Sequence, residues 1–419
     1  MRYPIRVLTD EDWPSILDVD TNAFGSTFET EVLDAERALH EPGRTIGAFD
    51  GETMVGLATA FSFDLSVPGS PTRLVPAAGI SWVGVLPTHR RRGVLRGLMT
   101  TQLHDIRERG RESVAILWAS EPVIYGRFGY GLASRAFALK VPRSPVALRA
   151  DAPTDPALRL RLVPAQDAKE AADVYAAAVR ARPGMIARDD RWTTRATSDH
   201  PSMRHGKSAL RCVVVEGDGG DGGFRGYARY STKADWTTGS PAGTVDVREV
   251  IALDAAALAA LYRYLFDLDL MKVVELWNVP VDSPLLHWLN STRAAAPSWQ
   301  DSLYVRLVDV GAALSQRTYS TPIDVVLEVA DPVCPWNDGA WRLVGGPDGA
   351  RCERADDAGD QPDLSLSVTD LGAAYLGGTA LAELAQAGRV QQHRGGDSAL
   401  AAVSSAFTTS PQPWCPFIF

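Results

Sequence analysis

The chain has 419 residues, a formal net charge of −9 at pH 7 and 45% hydrophobic residues. This length predicts two or three domains. The negative charge argues against a nucleic-acid partner and suits a cationic ligand. No apolar run is long enough to span a bilayer and no signal-peptide core is present, so we expect a cytoplasmic protein, with a non-classical export route left open.

The first predicted domain, residues 1–148, alternates strands with helices. Its predicted elements are a strand at 5–8, a helix at 11–24, a hairpin at 44–63, a strand at 80–85, a helix ending at Gly110 and a strand at 113–119. This alternation indicates a mixed α/β sheet. A Pro- and Arg-rich stretch over 141–156 is typical of a linker.

An arginine-rich turn joins the strand at 80–85 to the helix that follows. Gly93 permits a close backbone approach, and the helix start offers unpaired N–H groups and a positive dipole end. Arg90, Arg91, Arg92 and Arg96 add cationic charge. The spacing fits neither a Walker loop nor G-x-G-x-x-G. The turn therefore predicts a cradle for a pyrophosphate.

Two strings carry a family resemblance. Arg90-x-x-Gly93 resembles the acetyl-coenzyme A signature of the GNAT acetyltransferases, although Leu95 occupies its last position. Pro-Thr-His-Arg-Arg-Arg-Gly-Val-Leu-Arg, residues 87–96, and Tyr-Gly-Arg-Phe-Gly-Tyr-Gly, residues 125–131, are similar to the Eis (enhanced intracellular survival) branch of that superfamily. The resemblance extends over the whole chain and is strongest over residues 80–131.

The resemblance implies an α/β (α+β) protein with tandem GNAT folds and a C-terminal sterol-carrier-protein-like domain. We expect the second GNAT-like domain at 149–301 and the C-terminal domain at 302–419. Residues 245–277 repeat the strand–helix–strand order of the first copy, but Asp254 stands where the first copy has arginine and glycine. Because a carboxylate repels a pyrophosphate, we expect this second copy to be degenerate.

The resemblance also implies acetyl-coenzyme A as co-substrate, with particular residues holding it. Val83, Gly84 and Val85 would contact the acetyl carbonyl and pantetheine. The residues expected at the pyrophosphate are Arg91, Arg92, Gly93, Val94, Leu95 and Arg96, and those expected at a further contact are Ser120 and Glu121. No His, Cys, Asp or Glu cluster has metal-ligand spacing, so we expect no metal.

Two catalytic groups are implied by the same resemblance. Tyr125 is expected to act as general acid toward the departing thiolate, since a phenol of pKa near 10 can protonate a basic sulfur. The carboxylate of Phe419 is expected to act as general base. The tail at 411–419 is rich in aromatic residues and proline, which predicts its burial.

The predicted function is N-acetylation of cationic amines such as aminoglycosides, in a homohexamer by resemblance. Acidic residues of the first helices are candidates to face such an acceptor; they are Asp10, Glu11, Asp12, Asp18, Asp20, Glu29, Glu31, Asp34 and Glu36. Two alternatives remain open. One is acetylation of protein lysines, and the other is a non-catalytic lipid- or sterol-binding module built on the C-terminal domain.

Overall fold

A computed structural model describes residues 3–25, 29–69, 72–144, 146–166, 169–217, 223–355, 361–394 and 396–419. The chain divides into two compact units. One unit contains Met1–Ser134, Arg182–Ile186 and Ser302–Phe419, and the other contains Arg135–Ala181 and Ala187–Asp301. Among the described helices none is long and apolar enough to cross a membrane.

The first third of the chain forms the elements that surround the predicted cradle. In chain order they are β1 (Ile5–Val7), α1 (Trp13–Phe24), α2 (Thr30–Arg37), β2 (Thr45–Asp50), β3 (Thr53–Val67), β4 (Arg73–Val85), α3 (Val94–Arg109), β5 (Val114–Trp118), β6 (Gly131–Leu132) and β7 (Arg135–Pro142). Short 3-10 helices precede α1 (Asp10–Asp12), follow β4 (Pro87–His89) and precede β6 (Pro122–Phe128).

The middle third repeats a similar series. It contains β8 (Arg159–Pro164), α4 (Lys169–Val179), α5 (Asp190–Thr197), β9 (Arg211–Glu216), β10 (Phe224–Lys233), β11 (Trp236–Thr237), β12 (Ser240–Pro241), β13 (Gly243–Ala252), α6 (Ala255–Phe266), β14 (Met271–Pro280), α7 (Leu285–Trp288) and β15 (Ser298–Asp301). Two 3-10 turns, Pro201–Met203 and Arg293–Ala295, complete the described series.

The last third begins with a strand and ends in a helix followed by the tail. Its elements are β16 (Leu303–Leu307), α8 (Val310–Gln316), β17 (Ile323–Ala330), β18 (Gly339–Gly346), β19 (Gly349–Arg354), β20 (Leu364–Ser367), α9 (Val368–Ala374), α10 (Leu381–Gln386), β21 (Val390–Gln392) and α11 (Gly396–Phe407). Its five strands from β17 to β21 form one sheet in the order β19-β18-β17-β20-β21.

The first sheet has seven strands in the order β1-β2-β3-β4-β5-β16-β6. Helix α3 packs against it because its apolar side chains recur at helical spacing, and Leu98, Met99, Leu103 and Ile106 are all buried. Strand β16 comes from beyond residue 302 and pairs with β5. The C-terminal part of the chain is therefore joined to the first sheet through a shared strand.

The second sheet has the order β15-β7-β14-β13-β10-β9-β8. Strand β7 lies within residues 1–148, the range expected for the first domain, yet it pairs with β14 and β15. The expected boundary at residue 148 therefore differs from the structure, in which the first unit breaks after Ser134. An apolar strand fits either sheet equally well, so composition alone does not reveal which sheet it joins.

Candidate active site

Strands β4 and β5 part in the middle of the first sheet. Their parallel register ends at Gly79↔Ile116, whereas β4 runs on to Val85. Just beyond that point β4 carries a bulge against β3, and Trp82 takes a φ of 50°. A bulge turns the strand and disrupts regular pairing. In the described part of the sheet, the end of β4 thus has no strand partner on the β5 side.

A cavity of about 950 Å³ opens where the two strands separate. Its lining residues come from the ends of α1 and β4, the turn before α3, the start of α3 and the segment after β5. They are Ala23, Phe24, Val83, Gly84, Val85, His89, Arg90, Arg91, Gly93, Val94, Leu95, Arg96, Ser120, Glu121, Val123, Ile124, Tyr125, Arg127 and Phe128.

The structure brings nearly all the residues expected at the co-substrate into this one cavity. Arg92 is the exception, because it does not line the cavity. The residues that the sequence did not single out come mainly from two places, the C-terminal end of α1 and the helix that carries Tyr125. Phe24 and Val123 are apolar side chains that the fold leaves exposed on the cavity lining, and this exposure could not be predicted from the sequence.

The N-terminus of α3 is open toward the cavity. Its N-cap is Gly93, with a φ of 88° and no side-chain hydrogen bond to the first turn. Nothing lies within 4 Å of the position that a Cβ on Gly93 would occupy. Arg91 and Arg96 are exposed on the cavity lining. Free amides, the helix dipole and two guanidinium groups suit a bound phosphate or pyrophosphate.

Tyr125 lies on the cavity wall in the 3-10 helix Pro122–Phe128. The side chain is largely buried, and burial, with a smaller effect of the Glu121 charge, raises the pKa of Tyr125 to about 12. The phenol is therefore protonated throughout the neutral pH range.

The apolar tail reaches the strand that lines the cavity. Phe419 is 8% exposed, and its ring packs edge-on against Phe63 with centroids 5.0 Å apart. The main-chain oxygen of Phe419 accepts a hydrogen bond from Ser81 Oγ at 3.0 Å. Ser81 stands two residues before Val83 on β4. Burial of Trp414 and Cys415 matches the prediction that the tail packs into the protein.

The candidate acidic residues lie in the 3-10 helix before α1, in α1, at the N-cap of α2 and in α2, and most of them are exposed. Asp12 is paired with Arg6 at 2.7 Å, so its carboxylate is engaged. Asp20 is half-buried, one turn before the cavity-lining residues Ala23 and Phe24. Burial first, and then the charge of Glu36, raises the pKa of Asp20 to about 6.

The second sheet keeps the same strand geometry. Strands β13 and β14 pair in parallel only as far as Val247↔Leu276, and β13 also carries a bulge against its other neighbour. Beyond that point Trp277 Nε1 donates a hydrogen bond to the carbonyl of Arg248 at 2.9 Å. An indole therefore occupies the place where the strands part.

Helix α6, which follows β13, is capped at its N-terminus by the side chain of Asp254. The Asp254 carboxylate accepts hydrogen bonds from the amides of Ala256 and Ala257 at 3.0 Å. Arg225 Nε in turn donates to the other Asp254 oxygen at 2.7 Å. The Asp254 carboxylate thus occupies the place at this helix N-terminus where an anion would bind. The start of α3 differs, because no side chain caps it.

Family models match the chain in three consecutive segments. A model described as acetyltransferase (GNAT) domain matches residues 4–133, a second with the same description matches residues 184–307, and a sterol carrier protein domain matches residues 310–416. The chain is thus a GNAT N-acetyltransferase with two GNAT domains followed by a sterol carrier protein domain. Membership in the GNAT class implies the use of acetyl-coenzyme A.

Relatives that match nearly the whole chain show which family of GNAT acetyltransferases it belongs to. An uncharacterized N-acetyltransferase of Streptomyces avermitilis is 48% identical over 100% of both chains. N-acetyltransferase Eis of Mycobacterium tuberculosis is 33% identical over 91% of this chain and 92% of its own. The crystal structure of Eis1 from Mycobacterium abscessus covers 99% of this chain and 100% of its own with a TM-score of 0.81 and 34% identity. The chain belongs to the Eis family of N-acetyltransferases.

Among the described residues no group of His, Cys, Asp and Glu side chains is arranged to hold a metal ion. The four cysteines are buried and form no disulfide. The polar groups that line the cavity are arginines, backbone amides, an imidazole, a hydroxyl, a carboxylate and a phenol, which is a set suited to binding an anionic ligand and moving protons.

Proposed function

We propose that this chain transfers the acetyl group of acetyl-coenzyme A to a primary amine of a cationic small molecule such as an aminoglycoside. One observation carries the proposal: a single cavity joins an uncapped helix N-terminus, a splayed strand and a buried tyrosine. A site for a pyrophosphate, a thioester and a proton donor has these three components.

The cradle residues have a clear role in this proposal. Arg91, Arg96 and the first amides of α3 hold the pyrophosphate, and Gly93 keeps that end of the helix free of a side chain. Ser120 and Glu121 line the same cavity from the segment that follows β5. When bound, acetyl-coenzyme A supplies an acetyl thioester, whose carbonyl carbon is attacked by the acceptor nitrogen.

The end of β4 and Tyr125 serve the leaving side of the reaction. Backbone N–H groups of Val83–Val85 that point away from β3, where β5 no longer pairs with β4, stabilise negative charge on the carbonyl oxygen. Tyr125 donates its phenolic proton to sulfur as the carbon–sulfur bond breaks, which releases a neutral thiol. Its raised pKa, about 12, keeps that proton available at neutral pH.

The base in this proposal is the terminal carboxylate at Phe419. It accepts a proton from the acceptor nitrogen as the new carbon–nitrogen bond forms, so the products are an N-acetyl amine and a free thiol. The Ser81 hydrogen bond and the packing on Phe63 support this role, because they fix the tail against β4. Partial desolvation strengthens a carboxylate as a base.

A polycationic acceptor is favoured by the acidic character of α1 and α2. Asp20 is half-buried and feels the charge of Glu36, one turn before the cavity-lining residues Ala23 and Phe24, and a second ammonium group of the acceptor would relieve the repulsion between these two acids. The chain as a whole carries a net charge of −9, which attracts cations to the protein.

The second GNAT domain has no cofactor role in this proposal. Asp254 caps α6 and Trp277 occupies the parting of β13 and β14, so both halves of a cofactor site are filled by the domain's own side chains. We expect one coenzyme A per chain, measured by titration calorimetry. Two sites per chain would overturn this part of the proposal.

Mass spectrometry of reaction products tests the proposed activity. The purified chain is incubated with acetyl-coenzyme A and, in separate reactions, an aminoglycoside, a linear polyamine and a lysine peptide. We expect a gain of one or more acetyl groups on the aminoglycoside or polyamine. Acetylation of the peptide alone would move the assignment to protein lysine acetylation. Binding of apolar ligands without any turnover would instead favour a lipid-binding module.

A further inference from the structure

The segment that carries Tyr125 is held by residues from the C-terminal part of the same unit. Thr369 Oγ1, in α9, donates a hydrogen bond to the carbonyl of Gly126 at 3.2 Å. A Cβ on Gly131 would lie 2.0 Å from the main-chain oxygen of Thr369 and 2.3 Å from the main-chain nitrogen of Ala373. The backbone of α9 therefore approaches this segment as closely as a glycine allows.

A third glycine of the segment faces an arginine. Gly129 ends the 3-10 helix of Tyr125 with a φ of 87°, and a Cβ there would lie 2.6 Å from Arg306 Nε. Arg306 belongs to β16 and is fully buried. The glycines of Tyr-Gly-Arg-Phe-Gly-Tyr-Gly thus stand where residues 177 to 243 positions further along the chain make close contacts.

Arg306 is held in turn by a buried ion pair. Its Nη2 donates to both oxygens of Asp331, at 2.7 and 2.9 Å, and both side chains are 0% exposed. The Asp331 carboxylate also accepts from the amide of Cys334 and from Asn337 Nδ2, each at 3.0 Å. Arg306 Nη1 donates in addition to the carbonyl of Leu307 at 2.8 Å. Two nitrogens of the planar guanidinium are therefore held, which fixes its orientation.

The contact continues from Arg306 to the catalytic candidate through Tyr130. Tyr130 follows Gly129 and is buried, and its amide donates to the carbonyl of Tyr125 at 3.3 Å. The two rings meet edge to face with centroids 6.1 Å apart. Asp331, Arg306, the Gly129–Tyr130 backbone and Tyr125 therefore form one continuous series of contacts.

We propose that Arg306 and Asp331 are positioning residues for Tyr125, so that Asp331, a residue of the sterol carrier protein domain, sets the place of the proton donor through Arg306. This inference rests on the proposed role of Tyr125 as general acid. A contact that only held the domains together would need no charge. The buried Arg306–Asp331 ion pair instead lies against Gly129, the positive-φ residue that ends the Tyr125 helix, and so fixes the position of that turn. Small misplacements of a catalytic group lower rates strongly.

A double-mutant cycle tests the inference on the full-length protein. Asp331→Asn keeps the shape of the side chain and removes its charge, and it is made alone and together with Tyr125→Phe. The matched control is Glu112→Gln, which breaks a different buried ion pair of the same unit, that with Arg44 at 2.7 Å. Turnover number, coenzyme A affinity and melting temperature are measured for each variant.

We expect Asp331→Asn to lower kcat about 10- to 100-fold, with coenzyme A affinity changed less than about twofold. In the Tyr125→Phe background the same substitution should lower kcat further by less than about threefold, because residues that act as one unit are not additive. Glu112→Gln should lower the melting temperature and leave kcat within about twofold. Unchanged kcat in Asp331→Asn, or a full second loss in the double variant, would overturn the inference.

The cycle separates this inference from the proposed function. If Tyr125→Phe retains full activity, the general-acid role fails, and the positioning role fails with it. If Tyr125→Phe is impaired and the losses multiply, only the positioning role fails. Should Asp331→Asn not fold, Thr369→Val removes the milder contact to Gly126. We expect it to lower kcat about threefold in the wild-type background and to have no effect in Tyr125→Phe, and additive losses would again contradict the inference.

Discussion

Ser81 Oγ donates a hydrogen bond to the main-chain oxygen of Phe419, across a sequence separation of 338 residues. The contact links the strand that lines the cavity to the apolar tail. It also places the chain's last residue beside Phe63 and under Gly79, where a Cβ would lie 3.1 Å from the Phe419 ring. If the terminal carboxylate is the base, Ser81 is the residue that orients it.

Replacing Ser81 with alanine should therefore slow turnover. A hydrogen bond to a charged group contributes about 1.5–3 kcal/mol, so we expect kcat to fall by about tenfold while the KM for acetyl-coenzyme A changes little. Steady-state kinetics measures both. The control is Ser66→Ala, a buried serine of β3 whose hydroxyl has no hydrogen-bond partner among the described residues. Equal activity in the two variants would remove Ser81 from the account.

Gly93→Asp should abolish tight binding of coenzyme A. The substitution puts a side chain and a negative charge at the open N-terminus of α3, and the φ of 88° adds backbone strain. We expect affinity to fall more than tenfold, or more than about 1.4 kcal/mol, by calorimetry. Gly110→Asp is the control, because Gly110 has a φ of 65° and open space at the opposite end of the same helix. A similar loss in both variants would point to strain rather than to the cradle.

Tyr125 should stay protonated at mildly alkaline pH, so kcat should not fall in that range. Burial raises the pKa of Tyr125 to about 12, so its acid form persists well above the ordinary pKa of a tyrosine, near 10. We expect kcat to stay level up to about pH 10 for an acceptor that is already a free amine. A fall in kcat centred near pH 9 or below would assign the acid to another group.

Asp20 should make acceptor binding sensitive to pH near 6. Its pKa is raised to about 6, so the carboxylate is charged above that pH and neutral below it. We expect the KM for a polycationic acceptor to decrease as pH rises through 6, and Asp20→Asn to raise that KM roughly fivefold at pH 7.5. Asp34→Asn, an exposed acid of α2, is the control.

Asp20→Asn should weaken acceptor binding but increase the stability of the folded protein. A carboxyl whose pKa is raised on folding stabilises the folded state most below its unfolded pKa, and that stability is lost as pH rises through 6. Asp20→Asn should thus raise the melting temperature above pH 6 while it weakens acceptor binding. A lower melting temperature together with an unchanged KM would make Asp20 a structural residue only.

The cradle was predictable from the sequence because its parts are adjacent in the chain. The strand ending at Val85, the turn at Gly93 and the helix after it are local features with strong punctuation, and the structure places them as expected. The repeat in the middle third was also predictable, because its strands and helix follow the same order along the chain. Asp254 marked the difference between the two copies, and in the structure it caps α6.

Other features depend on pairings between distant segments and left no local trace. Strand β7 joins the second sheet, and β16 completes the first, because sheet membership is decided by tertiary packing. The pair Arg306–Asp331 reads in sequence as two unrelated charged residues. Their burial under the Tyr125 segment follows only from the folded arrangement, and the glycines of 125–131 are the one indication that something approaches closely there.

The most direct test of the central claim is the turnover of an enzyme extended beyond Phe419. A short glycine–serine extension turns the terminal carboxylate into a neutral amide and leaves the cradle, Tyr125 and Ser81 unaltered. Its control carries the same extension at the N-terminus, and both proteins are first shown to be folded and to bind coenzyme A. We expect at least a hundredfold loss of kcat, the range of general-base catalysis, for the C-terminal extension alone. Wild-type turnover in that protein would contradict it and place the base elsewhere.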